Sequence, residues 1–460
     1  MKEKRSNSQD GITLSVGELF AGGGGIEVLQ GNRLVLWLDG QQEVASTITR
    51  AGHHYVAAPL DSTLVEALHF PSTITDSVSV DALLADVGEA IARFVPMEEQ
   101  CKLLLSAYIL ATWVGDCLPT PPILNLWGQV GTEGTLVELL SLLTRQPLPV
   151  SDVSAKEILN LPAGLCPTLL VTRPSKRALQ EICAATSLSR VSLLQGGRLV
   201  SYRHATVVCT REPIPGPALT LPMRPTQLAY KRIDATEARD LMDTLCPQLL
   251  HYRLSHHLQV SGSRFDCPSF AFETRVLARA LGSALEGAPQ LQARLVAALS
   301  PMDEQHKVEH SQELAAIVVE ALLTLCHEGK PEVLTVEIAE LVNAILVGRH
   351  ERLEISAKKV GAILRQQLGL YAGRKSAGYT LLLDSSTRRR IHRLSATYAV
   401  LSGWQEGCDD CATENDQGVV SEQSCGKLEG QPVHDAPIDG NVHNVHDVHH
   451  VHEAAGEAKQ

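Results

Sequence analysis

The sequence predicts an α/β protein: a core with a parallel sheet, a helical lid, a winged helix-turn-helix domain and a disordered tail. Three observations carry that reading. Short apolar runs alternate with helical periods between residues 79 and 230. Helical periodicity then dominates from Asp234 to about Leu299. Beyond Ser311 come three helices, two short strands and a basic helix, and after Trp404 the apolar pattern stops. The expected division is a β-rich segment at 1–78, the core at 79–230, the lid at 231–310, the winged helix at 311–404 and an acidic, His-rich tail at 405–460.

Composition sets the limits. Of 460 residues, 44% are hydrophobic and 20% charged, which permits a packed core and excludes global disorder. The 11 cysteines have no framework spacing and fit a reducing cytoplasm, the expected location. Met1 to Asp10 is polar, so no secretory leader is expected. Leu103 to Gly115 is the longest apolar stretch, too short to span a bilayer, and no membrane partner is expected. The net charge of −12 is unevenly placed. Residues 405–460 hold 12 acidic and 2 basic residues, whereas Arg349 to Arg393 holds 11 basic and 3 acidic. A local basic surplus is the electrostatic footprint of nucleic-acid contact.

Taken in order, residues 1–78 read as short strands and turns, with Gly22 to Gly25 as a turn before a hairpin strand at Arg33–Leu38. Helices follow from Val80 and from about Glu98 to Cys117. Ile123–Trp127, Pro167–Val171 and Ala205–Thr210 are buried strands, with helices at Leu136–Thr144 and Lys176–Ala185 between them. Arg190 to Arg203 reads as a hairpin, and Pro213 to Pro225 as irregular.

The first strand, the loop Gly128-Gln-Val-Gly-Thr-Glu-Gly-Thr135 and the next helix have the order of a phosphate-binding P-loop, G-x-x-x-x-G-K-[ST]. Gly128 and Thr135 fit that pattern. Glu133 replaces the second glycine and Gly134 replaces the lysine. Thr172-Arg173 stands where a Mg²⁺-holding acidic pair would end the second buried strand. Gly128, Gly131, Gly134 and Thr135 are therefore the candidate nucleotide-binding positions of a degenerate loop. No catalytic residue and no cofactor are expected.

Pro147-Leu-Pro-Val-Ser-Asp-Val-Ser154 with Cys166–Val171, Val207-Val-Cys-Thr-Arg-Glu-Pro213, and Leu291–Val296 followed by Gln312–Asp384 resemble an uncharacterised family of P-loop ATPases with a C-terminal winged helix. That family accompanies primase/helicase-type proteins of plasmids, phages and integrated elements. The resemblance implies Lys at 134 and Asp-Glu at 172–173 in active members, so this chain looks like a degenerate one.

In the basic module, Thr335 is expected to cap one helix and Ser356 the next, Ala357 to Leu368. Val360, Ile363, Leu364 and Leu368 form the apolar stripe of that recognition helix. Lys358, Lys359, Arg365 and Gln366 face outward, and Arg374 and Lys375 tip the wing. These six are the candidate DNA-binding residues. No run of interleaved aromatics suggests a single-strand platform, so double-stranded DNA is the expected partner, with a replication or mobile-element protein as a second.

No metal site is expected. Cys408-Asp-Asp-Cys411 has ligand spacing, but its only local partners in sequence are Cys425 and His434. The expected function is a DNA-binding accessory protein of a mobile-element replication module with a P-loop-like core that has lost hydrolysis. One alternative is an ATP- and Mg²⁺-binding or weakly active ATPase/helicase-like protein, with Lys176, Arg173 or Arg211 replacing the lost charge. The other is a protein-interaction scaffold.

Overall fold

The computed structural model of the protein describes residues 12–128, 134–158, 161–162, 164–186, 192–195, 198–201, 204–223, 231–351, 353–376, 378–400, 405, 408 and 410–411. The expectations for Gly131, for Glu133 and for nearly all of the tail lie outside these residues.

The N-terminal unit contains β1 (Ile12–Ser15), β2 (Glu18–Leu19), β3 (Gly25–Leu29), β4 (Arg33–Leu38), β5 (Gln41–Ala45), β6 (Thr47–Arg50), β7 (His53–Ala57) and α1 (Ser62–Leu68). Strands β2 to β5 form an antiparallel sheet in chain order, and β1-β7-β6 form a second sheet. The glycine run is the turn between β2 and β3. Gly24 has a φ of 71°, and a Cβ there would overlap the Trp37 carbonyl of β4.

The central unit runs α2 (Val80–Phe94), α3 (Glu99–Trp113), β8 (Ile123–Gly128), α4 (Gly134–Leu143), β9 (Pro147–Val150), α5 (Ala155–Ile158), β10 (Thr168–Val171), α6 (Lys176–Thr186), β11 (Ser192–Gln195), β12 (Arg198–Ser201), β13 (Thr206–Thr210) and β14 (Ala218–Met223). Five strands form one all-parallel sheet in the order β14-β8-β13-β10-β9. Counted along the chain, that order is 5-1-4-3-2, the fourth strand inserted between the first and third. The inner strands are buried along almost their whole length, as a sheet covered on both faces requires. Helix α3 is buried on every side from Leu103 to Trp113, which explains its unbroken apolar run. Strands β9 and β14 do not appear in the sequence reading, which has Pro213–Pro225 irregular. Pro147, Pro149 and Pro222 argue against strands, but β9 and β14 are the two edges of the sheet, where a missing N–H is tolerated.

Three helices follow: α7 (Ala235–Gly262), α8 (Phe272–Ala284) and α9 (Pro289–Gln312). Asp234 caps α7 by accepting from the backbone N–H of Thr236 and of Glu237, each at 2.9 Å. These helices share one apolar core with α2, α3, α4 and one face of the sheet. The C-terminal module has its own core. It comprises α10 (Leu314–His327), β15 (Glu332–Leu334), α11 (Thr335–Gly348), α12 (Ala357–Gln366), β16 (Gly373–Lys375), β17 (Gly378–Leu382) and α13 (Ser385–Thr397), with an antiparallel sheet β15-β17-β16. Thr335 opens α11 rather than capping it, because Glu332–Leu334 pairs as a strand with β17. Among the described residues no helix is long and apolar enough to cross a membrane.

A buried ion network joins the N-terminal unit to the core and lid. Arg253 of α7 donates from Nε to Glu27 Oε1 at 2.5 Å, and from Nη1 and Nη2 to Asp116 at 2.7 and 2.8 Å. Arg145, between α4 and β9, reaches the same Glu27 at 3.2 Å. Two guanidiniums thus share two carboxylates, which is what permits these charges to be buried.

His204, two residues before β13, gives the fold a pH dependence. Burial pulls its imidazole down to about 4, and its hydrogen bond to the Pro167 carbonyl only partly offsets this. Between that value and 6.5 the unfolded chain binds the extra proton and the folded chain does not. Stability should therefore fall as the pH drops through this window, by up to about 3 kcal/mol. Urea midpoints at pH 7 and pH 5 measure it, and His204→Gln should lose this part of the change.

Candidate functional site

The C-terminal ends of β8, β10, β13 and β14 open onto a crevice of about 510 Å³. This is where open α/β sheets bind ligands, beside the strands at which the order reverses. Each wall is placed by local chemistry. Gly128 ends β8 with a φ of 149°, and any Cβ there would overlap the Met223 carbonyl of β14. Beyond residues 129–133, which are outside the description, Gly134 and Thr135 open α4, and nothing crowds the Gly134 Cα. Thr172 and Arg173 continue from β10, their backbone N–H groups bonded to the carbonyls of Val150 and Ser151 at 3.0 and 2.7 Å.

Arg211 is held from beneath. Asn125 of β8 is fully buried and donates to Thr210 Oγ1 at 2.7 Å, while its Oδ1 accepts from the Ile214 N–H at 3.1 Å. The turn carrying Arg211 is thereby tied to the central strand. Among the described residues the crevice is lined by Arg173 and Arg211 and by no carboxylate. Its charge suits an anion and gives Mg²⁺ no oxygen anion to bind. Lys176 does not line it.

The second region is the outer surface of the C-terminal module. Ser356 caps α12, its Oγ accepting from the Lys359 N–H at 3.4 Å. Asn343 of α11 pins the preceding turn, donating to the Ile355 carbonyl at 3.0 Å and accepting from the Ile355 N–H at 2.8 Å. Val360, Ile363 and Leu364 are buried, which turns Lys358, Lys359, Arg365 and Gln366 outward, all exposed. Lys358 and Arg365 line a groove of about 540 Å³ together with Tyr371 and Tyr379, which are 75% and 56% exposed. Sequence reasoning missed these tyrosines. They lie singly in the strand region, and only the hairpin brings them beside α12.

The remaining basic residues divide by role. Arg374 is exposed and lines a hollow with Arg390 of α13. Lys375 is ion-paired with Glu332 of β15. Arg388 is structural: its guanidinium donates to the carbonyls of Leu383, Cys326 and Lys330, fastening α13 to the end of α10.

No family model matches the chain, and neither does any curated protein. Solved structures show distant likenesses. The apo C-terminal region of NrS-1 aligns over 78% of this chain and 96% of its own, at 9% identity and a TM-score of 0.32. A structure of Drosophila ORC bound to DNA covers 69% and 93%, at 12% identity and a TM-score of 0.18. Cdc6p from Pyrobaculum aerophilum covers 69% and 98%, at 14% identity and a TM-score of 0.19. Likenesses this distant add nothing to what the strand order says. A strand followed by a helix, opening a parallel sheet of order 5-1-4-3-2 with helices packed on it, makes an α/β core that resembles that of P-loop ATPases.

The structure therefore gathers Gly128, Thr172, Arg173 and Arg211 at one crevice, and Lys358 and Arg365 at one groove. Arg374 and Lys375 line a separate hollow beside Arg390, with Lys375 already partnered by Glu332.

Proposed function

We propose that the protein is a duplex-DNA-binding accessory factor of a replication module, and that its P-loop-like core does not hydrolyse nucleotide. In this reading the C-terminal module is a winged helix, with α12 as recognition helix and β16–β17 as wing. The observation that carries it is the split surface of α12: an apolar face in the module's core, and an uncompensated face of two lysines, an arginine and a glutamine open to solvent. Binding of labelled duplex by the full chain across a salt series tests it. Four phosphate contacts, from Lys358, Lys359, Arg365 and Arg374, should give a log K against log salt slope of about −3.6. Affinity independent of salt would point to the interaction scaffold instead. The exposed Tyr371 and Tyr379 favour including single-stranded competitor, because base stacking on them would be sequence-tolerant.

The reading of the core rests on what the crevice contains. With Gly134, Thr172 and Arg173 in place of a lysine and two acids, the described lining of the crevice offers Mg²⁺ no carboxylate and the γ-phosphate no P-loop lysine. Phosphate release from ATP, with Mg²⁺ and DNA present, should stay at background. Gly134→Lys should leave it there, although the open space at that position accepts the side chain. Turnover that Thr135→Ala abolishes would refute the proposal and support the ATPase alternative.

A further inference from the structure

Away from both regions, four side chains with metal-binding atoms converge. His327 ends α10 and His392 lies within α13, while Cys408 and Cys411 follow α13. The two Nε2 atoms are 3.2 Å apart. Cys408 Sγ is 3.4 Å from His392 Nε2, and Cys411 Sγ is 3.5 Å from His327 Nε2. All four ligand atoms lie within 4.8 Å of one another, and His392 and Cys411 are 3% and 4% exposed. His392 Nδ1 is 2.8 Å from the Arg388 carbonyl, so the ring proton sits on Nδ1 and the Nε2 lone pair faces the cluster. Arg388 also fixes α13 to the end of α10, so the two imidazoles are held in register by contacts outside the cluster.

We propose that His327, His392, Cys408 and Cys411 form a structural Zn²⁺ site. With Zn–N of about 2.0–2.1 Å and Zn–S of about 2.3 Å, a tetrahedron places N about 3.3 Å from N and about 3.6 Å from S. The spacings here match. Two thiolates balance the charge of the dication, and two neutral imidazoles complete the shell. Four protein ligands leave no open position, which assigns the metal a structural role. It fastens Cys408 and Cys411 to α10 and α13. The Cys408/Cys411 pair looked incomplete in sequence because its partners lie far back in the chain: His392 is 16 residues from Cys408, and His327 is 84 residues from Cys411.

The test uses the full chain, purified with Zn²⁺ and dialysed. The histidines of the tail would take up metal on their own, so a companion carries His443, His446, His449, His450 and His452 each changed to Ser. That companion should retain about one Zn²⁺ per chain. Co²⁺ in its place should give the absorption of a tetrahedral ion with a thiolate-to-cobalt charge-transfer band, which tail histidines cannot produce. Cys408→Ser with Cys411→Ser in the companion should lower retained zinc at least about tenfold. Equal retention, or a cobalt spectrum without the thiolate band, overturns the site. Should the double variant misfold, alkylation mapped by mass spectrometry on the unaltered chain decides. Zinc should shield Cys408 and Cys411, and a chelator should expose them. Labelling unchanged by the chelator, or a disulfide between the two, also overturns it.

Discussion

Arg253→Met should destabilise the central core by about 3–5 kcal/mol. The arginine is 1% exposed and is bound to two carboxylates and the Trp113 carbonyl. Removing it leaves Asp116 without its principal partner and Glu27 dependent on Arg145 alone. Breaking one side of a buried ion network costs far more than the network contributes relative to an apolar replacement, since the stranded charge keeps its desolvation penalty. The C-terminal module has a separate core, so urea unfolding should show the central core's transition shift while the module's transition stays in place. A pH series gives a second reading. Burial pushes the Asp116 carboxyl up, but the Arg253 guanidinium outweighs this and, with Arg145, holds it well below the ordinary value of 3.8. The stability it supplies is thus full above 3.8 and lost as the pH falls below it. The acid-induced loss in that range should shrink in Asp116→Asn. Equal stability of Arg253→Met and the unaltered chain would remove the network from the list of what holds the units together.

Reversing Lys358 and Lys359 together to Glu should weaken duplex binding by at least roughly thirtyfold at low salt. Each lost contact in a water-like dielectric is about 1 kcal/mol, and two make about 2 kcal/mol. The log K against log salt slope should become shallower by about two. Both side chains are exposed and bonded to no other side chain of the described structure, so the module should stay folded, which circular dichroism checks. Val360 and Leu364, one and five residues beyond Lys359, belong to the core, and changing them would mimic lost binding by unfolding the helix. Arg388→Ala makes the useful contrast. It sits in the same basic stretch but braces backbone carbonyls, so it should lower stability at an unchanged salt slope. An affinity and slope unmoved by the lysine reversal would leave the basic face merely solvated.

What was legible in the sequence was whatever a short window contains. The strand at Ile123 and the helix after it, the cap at Ser356 and the β16–β17 hairpin each come from adjacent residues with one period or one cap. What was not legible depended on place within the sheet or on distance along the chain. Pro149 and Pro222 are poor strand residues everywhere except at an edge, and no local pattern says which strands are edges. Tyr371 and Tyr379 were unremarkable until the hairpin set them against Lys358. The second half of the His–Cys cluster, and the pairing of Glu27 with Arg253, needed the tertiary fold to bring remote positions together.

That last pairing bears on how the chain assembles. Glu27 lies 118 residues before Arg145 and 226 before Arg253. During synthesis the N-terminal strands emerge first, carrying a carboxylate whose counter-ions do not yet exist. The central sheet can form before α7 is made, but its joint with those strands can close only after Arg253 has left the ribosome. Contacts of such sequence separation are slow to form, and domains of long chains dock after they fold. Residues synthesised before the core are thus among the last to lock. A chain begun at residue 79 would lack Glu27 and leave Arg145 and Arg253 with Asp116 as their one carboxylate, so the N-terminal unit acts on its neighbours as a tethered counter-ion.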